Sequence, residues 1–189
     1  MLGAGDDLPT APHRVLVAGV SGVGKTTFCQ RVSRVLGIPH TEIDELFHGP
    51  RWQPRLNFID DVTTLACSES WITEWQYGAA REILATRANT LVWLDLPFRI
   101  TLARVVRRTV LRRITRQELW NGNREQSLIR AFIAPEGIIR WSIRTRHKYA
   151  TLVPALAARH PEMAIIRLRT LREVEGWVTG ALMRSRRDG

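Results

Sequence analysis

The chain has 189 residues, enough for one α/β domain with a core of ordinary size, and its 44% hydrophobic and 24% charged residues are those of a folded globular protein. No run approaches the roughly 18 apolar residues of a membrane span, which excludes a helical membrane protein. The net charge of +10 lies wholly within residues 96–150, where twelve Arg and one Lys outweigh Glu118, Glu125 and Glu136; the remaining fifteen basic and fifteen acidic residues cancel, so the asymmetry points to a polyanionic partner.

Residues 1–12 carry Asp6 and Asp7 without an apolar run and read as a disordered tail, not a signal peptide. A single domain is expected over 13–185, with a short C-terminal tail at 186–189. Residues 13–20, containing Val-Leu-Val-Ala, predict a buried parallel strand that ends in glycine. A helix follows over 25–36, with Phe28, Val32, Val35 and Leu36 at helical spacing and Gly37 as its stop. Residues 38–44 predict a second strand, 49–54 a loop, 55–67 a helix and 70–75 a third strand. Residues 79–88 predict a helix, and 90–96 a fourth strand closed by Pro97. A long basic helix is expected over 98–113, then a polar stretch at 115–126 with Asn-Gly-Asn at 121–123 as its turn. Helical sequence at 127–158, broken near Pro135 and Gly137, precedes a fifth strand at 163–168 and a last helix at 171–183. Strands alternating with helices imply βαβ units, hence a three-layer αβα fold around a five-stranded parallel sheet. Cys29 and Cys67 are too few for a disulfide framework and stand in no metal-type pair, so both read as small core residues in a cytoplasmic protein.

The chemistry concentrates at residues 19–26. The spacing Gly19-x4-Gly24-Lys25-Thr26, between a strand and a helix, matches the Walker A pattern of P-loop NTPases. Gly19, Gly22 and Gly24 let the backbone N–H groups of Ser21, Val23 and their neighbours converge on phosphate oxygens, and the helix N-terminus favours an anion. Lys25 would reach the β- and γ-phosphates of ATP, Thr26 would ligate Mg²⁺, and Thr27 would add a hydroxyl near the α-phosphate.

Further stretches are informative together: Val-Ser-Gly-Val-Gly-Lys-Thr-Thr at 20–27, Gly-Ile-Pro-His-Thr-Glu-Ile-Asp at 37–44, and Trp52. To these add Trp-Ile-Thr-Glu-Trp-Gln-Tyr-Gly at 71–78, Leu-Val-Trp-Leu-Asp-Leu-Pro at 91–97, an Arg-rich helix, and Glu-Leu-Trp-Asn-Gly-Asn-Arg-Glu at 118–125. In these residues the chain resembles the adenylate-kinase-like and shikimate-kinase-like branch of P-loop proteins. More narrowly, it resembles the bacterial topology modulation protein group of small kinase-like ATPases. The resemblance implies that Asp44, or less directly Glu45, addresses a phosphoryl acceptor, as a carboxylate that orients or deprotonates a hydroxyl. It also implies that Glu74, at a strand end, holds Mg²⁺ through water. Glu74 keeps the family's charge with an added methylene, while Trp75 replaces a glycine that would admit a close substrate. Asp95 also ends a strand, where capping and catalysis are equal readings.

Arg104, Arg108, Arg112 and Arg116 recur every four residues and form one helical stripe, flanked by Arg107 and Arg113, with Leu102, Val105, Val106, Val110 and Leu111 opposite as the buried side. The resemblance implies a small Arg-rich lid at about 114–126 that closes on phosphates, for which the planar, always charged guanidinium is suited. Arg104 and Arg108 stand nearest the sheet edge, and Arg116 belongs to the lid. Trp52 and Trp120 fall in loops where a ring could stack on a base, with packing the plainer role. His40, His48 and His147 show no ligand spacing.

These readings converge on an ATP- and Mg²⁺-dependent kinase that transfers the γ-phosphoryl group to a nucleoside, nucleotide or other small hydroxylated acceptor, as monomer or homodimer. The alternatives are a nucleic-acid-associated regulatory ATPase, for which no recognition motif is present, and a nucleotide-binding protein with little catalysis.

Overall fold

Short runs of Val, Leu and Ile form four parallel strands in a computed structural model that describes residues 1–115 and 143–187. In chain order the elements are β1 (Arg14–Ala18), α1 (Lys25–Leu36), α2 (Ile43–Phe47), a 3₁₀ turn (Pro50–Trp52), α3 (Phe58–Cys67) and β2 (Trp71–Glu74). There follow α4 (Gly78–Ala85), β3 (Thr90–Leu94), α5 (Phe98–Ile114), α6 (Lys148–Arg159), β4 (Ala164–Leu168), α7 (Leu171–Thr179) and α8 (Ala181–Arg187). The strand order is β2-β1-β3-β4, with Val17 opposite Glu74, Leu16 opposite Leu91, and Val92 opposite Ile166.

Alternation along β1 builds the three layers. Val15 and Val17 face Phe28, Cys29 and Val32 of α1 together with Trp177 and Leu182. Leu16 and Ala18 face the other way, onto Val62, Leu84, Val153 and Leu156 of α3, α4 and α6. With both faces covered, every residue of β2 and β3 is buried. Among the described residues no helix is long and apolar enough to cross a membrane.

Among the described residues the sheet has four strands where the sequence predicts five. Residues 38–44 form a single bridge, His40 to Ile72, flanked by hydrogen bonds from Ile72 N to Pro39 O (2.9 Å) and Thr41 N to Ile72 O (3.1 Å). Pro39 has no N–H to extend that ladder, and the Ile43 N–H donates to the Glu74 carboxylate at 3.1 Å as α2 begins. Of residues 1–12, expected as a disordered tail, Leu2 instead pairs with β4. Leu2 N donates to Ile165 O at 2.7 Å, Arg167 N to Leu2 O at 2.9 Å, and Leu2, Ala4 and Leu8 pack on the core. The backbone of Leu2 thereby satisfies groups on the outer edge of β4. The single C-terminal helix expected at 171–183 is two helices, separated at Gly180 by non-helical angles. The lid expected at 114–126, apart from Ile114 and Thr115, lies outside the described residues, as do Arg116 and Trp120.

Candidate nucleotide site

The loop at 19–26 joins β1 to α1 at the carboxyl edge of the sheet, where open α/β sheets bind ligands. Gly22 (φ 78°) and Gly24 (φ 100°, the N-cap of α1) adopt left-handed backbone that a side chain resists. A Cβ on Gly22 would also lie 2.5 Å from the Thr101 carbonyl oxygen and 2.5 Å from Val105 Cγ2, so the loop rests directly on α5. No side chain caps the N-terminus of α1, and its first turn has no acidic residue, which leaves the positive end of the helix for an anion. Gly22→Ala is therefore expected to lower stability by about 1–3 kcal/mol and abolish nucleotide binding, read by thermal melting and a fluorescent ATP analogue.

Lys25 Nζ donates to the loop's own carbonyls, Gly19 O at 3.0 Å and Val20 O at 3.4 Å. Burial lowers its pKa from the ordinary value, although the nearby Glu74 and Asp44 carboxylates oppose that shift. Val23 is buried, Ser21 half-buried and Thr27 exposed.

Glu74, at the end of β2 and 3% exposed, gathers the second set of contacts. Its Oε1 accepts from the Thr26 hydroxyl at 2.9 Å, its Oε2 from Ile43 N at 3.1 Å, and His40 Nε2 stands 3.7 Å from Oε1. Burial pushes the Glu74 pKa up, but His40, Ile43 N–H and Thr26 together bring it below the ordinary carboxyl value. Cys29, on the first turns of α1, is fully buried, and burial with the Glu74 charge raises its thiol pKa well above the usual value.

Asp44, in the first turn of α2, accepts through Oδ1 from Gln76 Nε2 and from Tyr77 OH (2.6 Å). Tyr77 OH also lies 3.2 Å from His48 Nε2. Burial and then the Asp44 charge raise the Tyr77 pKa, so the phenol remains a donor, and burial lowers that of His48. Rings pack about Tyr77, which donates to this carboxylate: Phe47 stacks on Tyr77 with centroids 4.0 Å apart, and Phe58 and His48 meet Phe47 edge-on. Trp52 lies edge-on to His48 at 5.0 Å, and Glu45 is exposed.

Trp75 does not enter this space. It is 2% exposed in the core, its Nε1 donates to Arg81 O at 3.1 Å, and its carbonyl accepts from Tyr149 OH at 2.9 Å. The replacement of a glycine there leaves the site unobstructed by the indole.

From α5, Arg104 Nη1 donates to Val23 O at 3.1 Å and Arg108 Nη2 to Ser21 Oγ at 3.4 Å, so both guanidinium groups reach the loop. The fully buried positions of α5 are Thr101, Val105 and Thr109; of the expected apolar run Val105 is buried, Leu102, Val106 and Val110 are half-buried, and Leu111 is 47% exposed. The loop at Gly22 fits against Thr101 and Val105, and this close approach sets the rotation of the helix. Asp95 pairs with Arg167 at 2.6 Å, beside the Trp93 ring, and neither caps α5 nor meets the loop through that pair.

Sequence reading missed His40, Gln76 and Tyr77. Only the register of β2 against the chain at 39–41 brings His40 beside Glu74. The polar pair two and three positions after the strand-end acid Glu74 was the available signal for Gln76 and Tyr77. The residues present fit a nucleotide with a divalent cation: a glycine cradle that a Cβ would fill, an uncapped helix N-terminus, and a hydroxyl and carboxylate in contact at its rim.

No family model matches the sequence, and no curated protein matches it. Solved structures do. A shikimate kinase from Acinetobacter baumannii in complex with shikimate is 18% identical, with TM-score 0.52 over 95% of this chain and 90% of that one. A shikimate kinase from Bacteroides thetaiotaomicron is 19% identical, with TM-score 0.54 over 89% and 96%. A gluconokinase from Sinorhizobium meliloti 1021 is 16% identical, with TM-score 0.52 over 97% and 97%. The chain thus has the P-loop kinase fold that its sequence predicts.

Proposed function

We propose that this protein is an ATP-dependent kinase that transfers the γ-phosphoryl group to a hydroxyl of a small acceptor. The observation that carries the reading is the pair of carboxylates beside the phosphate loop, held in different ways. Glu74 is bound to Thr26, and Asp44 is held by Gln76 and Tyr77. One belongs to the cation side and the other faces the acceptor.

Arg104 and Arg108 supply fixed positive charge to the loop, and Lys25 would pass its ammonium from Gly19 O and Val20 O to a phosphate oxygen. Thr26, and Glu74 through water, would hold Mg²⁺, which neutralises phosphate charge when bound. Asp44 would orient the acceptor hydroxyl and take its proton; its two donors fix the carboxylate without neutralising it. Catalysis of this kind is positioning and charge stabilisation, to which each of these groups would contribute. The basic segment at 96–150 also fits a nucleic-acid partner, but the described contacts of Arg104 and Arg108 run to the phosphate loop. The neighbours named for shikimate and gluconate support a small polyhydroxylated acceptor, beside nucleosides and nucleotides.

A transfer screen with ATP and Mg²⁺ over these classes tests the proposal. Phosphorylation of an acceptor, abolished by Lys25→Ala, supports it, whereas slow hydrolysis with no acceptor in any class overturns it. Asp44→Asn is expected to lower kcat by about 10²–10⁴-fold with nucleotide affinity retained, measured by ADP release and analogue binding.

A further inference from the structure

Under the phosphate loop, one donor atom each from Cys29, His40 and Glu74 falls within 4.8 Å of the others. Cys29 is fully buried and the Glu74 side chain 4% exposed. The His40 side chain is 9% exposed, and its Nε2 is buried without a hydrogen bond, 3.7 Å from Glu74 Oε1. A buried imidazole nitrogen with no hydrogen-bond partner, facing a thiol and a carboxylate, is costly unless something coordinates it. Three elements bring these groups together: α1 carries Cys29, the bridge segment at 39–41 carries His40, and β2 carries Glu74.

We propose that Cys29, His40 and Glu74 form a binding site for Zn²⁺, separate in ligand chemistry from the Mg²⁺ position at Thr26, and that its occupancy switches the nucleotide site off. Thiolate, imidazole and carboxylate are the donors that Zn²⁺ takes in tetrahedral sites, with a fourth position for water, while Mg²⁺ demands oxygen ligands and rejects the thiol. The balance is simple: Zn²⁺ binds the Cys29 sulfur as thiolate, the thiol proton passes to solvent, and no electron is transferred.

The coupling follows from Glu74. Its Oε2 is committed to Ile43 N, so Oε1 is the oxygen available to Zn²⁺, and Oε1 is the oxygen that accepts from Thr26. Zn²⁺ on Oε1 withdraws that acceptor from Thr26 and places a second dication beside the Mg²⁺ position. Zn²⁺ and Mg²⁺-nucleotide then exclude one another. Only this coupling rests on the proposed function; the site itself does not.

Titration of the full chain with Co²⁺, which occupies Zn²⁺ sites and reports on sulfur ligation, tests the site directly. The expected result is one Co²⁺ per chain with a thiolate-to-cobalt charge-transfer absorption, displaced by Zn²⁺. That absorption should vanish in Cys29→Ala, persist in Cys67→Ala, and need about 100-fold more metal in His40→Gln, each variant folded by circular dichroism. An absorption that survives Cys29→Ala, or none in the wild type, overturns the site; His40→Gln titrating like wild type overturns it without relying on the cysteine variant. In a second arm, Zn²⁺ should weaken binding of a Mg²⁺-ATP analogue by about tenfold or more in wild type and not in Cys29→Ala. Undiminished analogue binding with the cobalt absorption present overturns the coupling alone. An analogue that never binds, with that absorption present, overturns the proposed function and the coupling and leaves the metal site standing.

Discussion

Lys25→Met is expected to reduce phosphoryl transfer by about 10²–10³-fold, the scale of losing one preorganised charge at a transferring group. The unliganded variant should melt at or above the wild-type temperature. These opposite effects have one cause. The ammonium is desolvated in the loop, and its pKa is depressed below the ordinary 10.5. A depressed pKa means that carrying the charge disfavours folding at every pH below the folded value. That penalty is complete below the folded value and disappears above 10.5, where the unfolded chain is also neutral. Methionine keeps the apolar stem and removes the charge. The stability advantage of the variant should therefore shrink as pH rises from the folded value towards 10.5, followed by thermal melts across alkaline pH. A variant less stable than wild type at neutral pH would mean that the bonds to Gly19 O and Val20 O outweigh the desolvation.

Glu74→Gln is expected to cost about 1–3 kcal/mol of stability and to raise the Mg²⁺ concentration needed for half-maximal transfer. The carboxylate accepts from Thr26 and Ile43 N at once, with His40 beside it, and an amide must turn a donor toward one of them. Because the folded pKa of Glu74 lies below its ordinary 4.5, the charge-dependent part of this stabilisation is complete above 4.5 and is lost as pH falls through the folded value. The melting-temperature gap between wild type and variant should close in acid. A gap of constant size from neutral to strongly acidic pH would show that shape, not charge, holds the contact.

The phosphate loop was legible because its demands are local. Left-handed backbone at Gly22 and Gly24, a lysine and a hydroxyl at fixed offsets, and the helix Lys25–Leu36 depend on residues within a few positions of one another. Strands β1 and β3 were legible because both faces of a central parallel strand are buried, which demands continuous apolar sequence. The edge elements were not. Residues 38–44 have a strand-like pattern, yet a carboxylate 31 positions later takes the Ile43 N–H, and Pro39 can donate nothing. Leu2 reads as part of a tail in the sequence, and only the edge of β4 gives it backbone partners.

Charge showed the same division. The Arg104 and Arg108 spacing placed both on one stripe, but the face that α5 buries follows from contact of Thr101 and Val105 with Gly22. Asp44 was a loop acid in the sequence; Gln76 and Tyr77 make it a positioned one. Trp75 read as an obstacle because its side chain's direction depends on the register of β2, which turns the indole into the core.

By itself the sequence determined a strand–loop–helix unit with the Walker A spacing and the layered α/β domain around it, since turn chemistry, helix termini and burial on both strand faces are written in neighbouring residues. The tertiary structure alone decided which carboxylates meet the loop, which way the arginine helix turns, and that Cys29, His40 and Glu74 share one buried space. Those outcomes depend on contacts between residues far apart in the chain, where backbone and side-chain donors compete for the same acceptors and no local pattern records the winner.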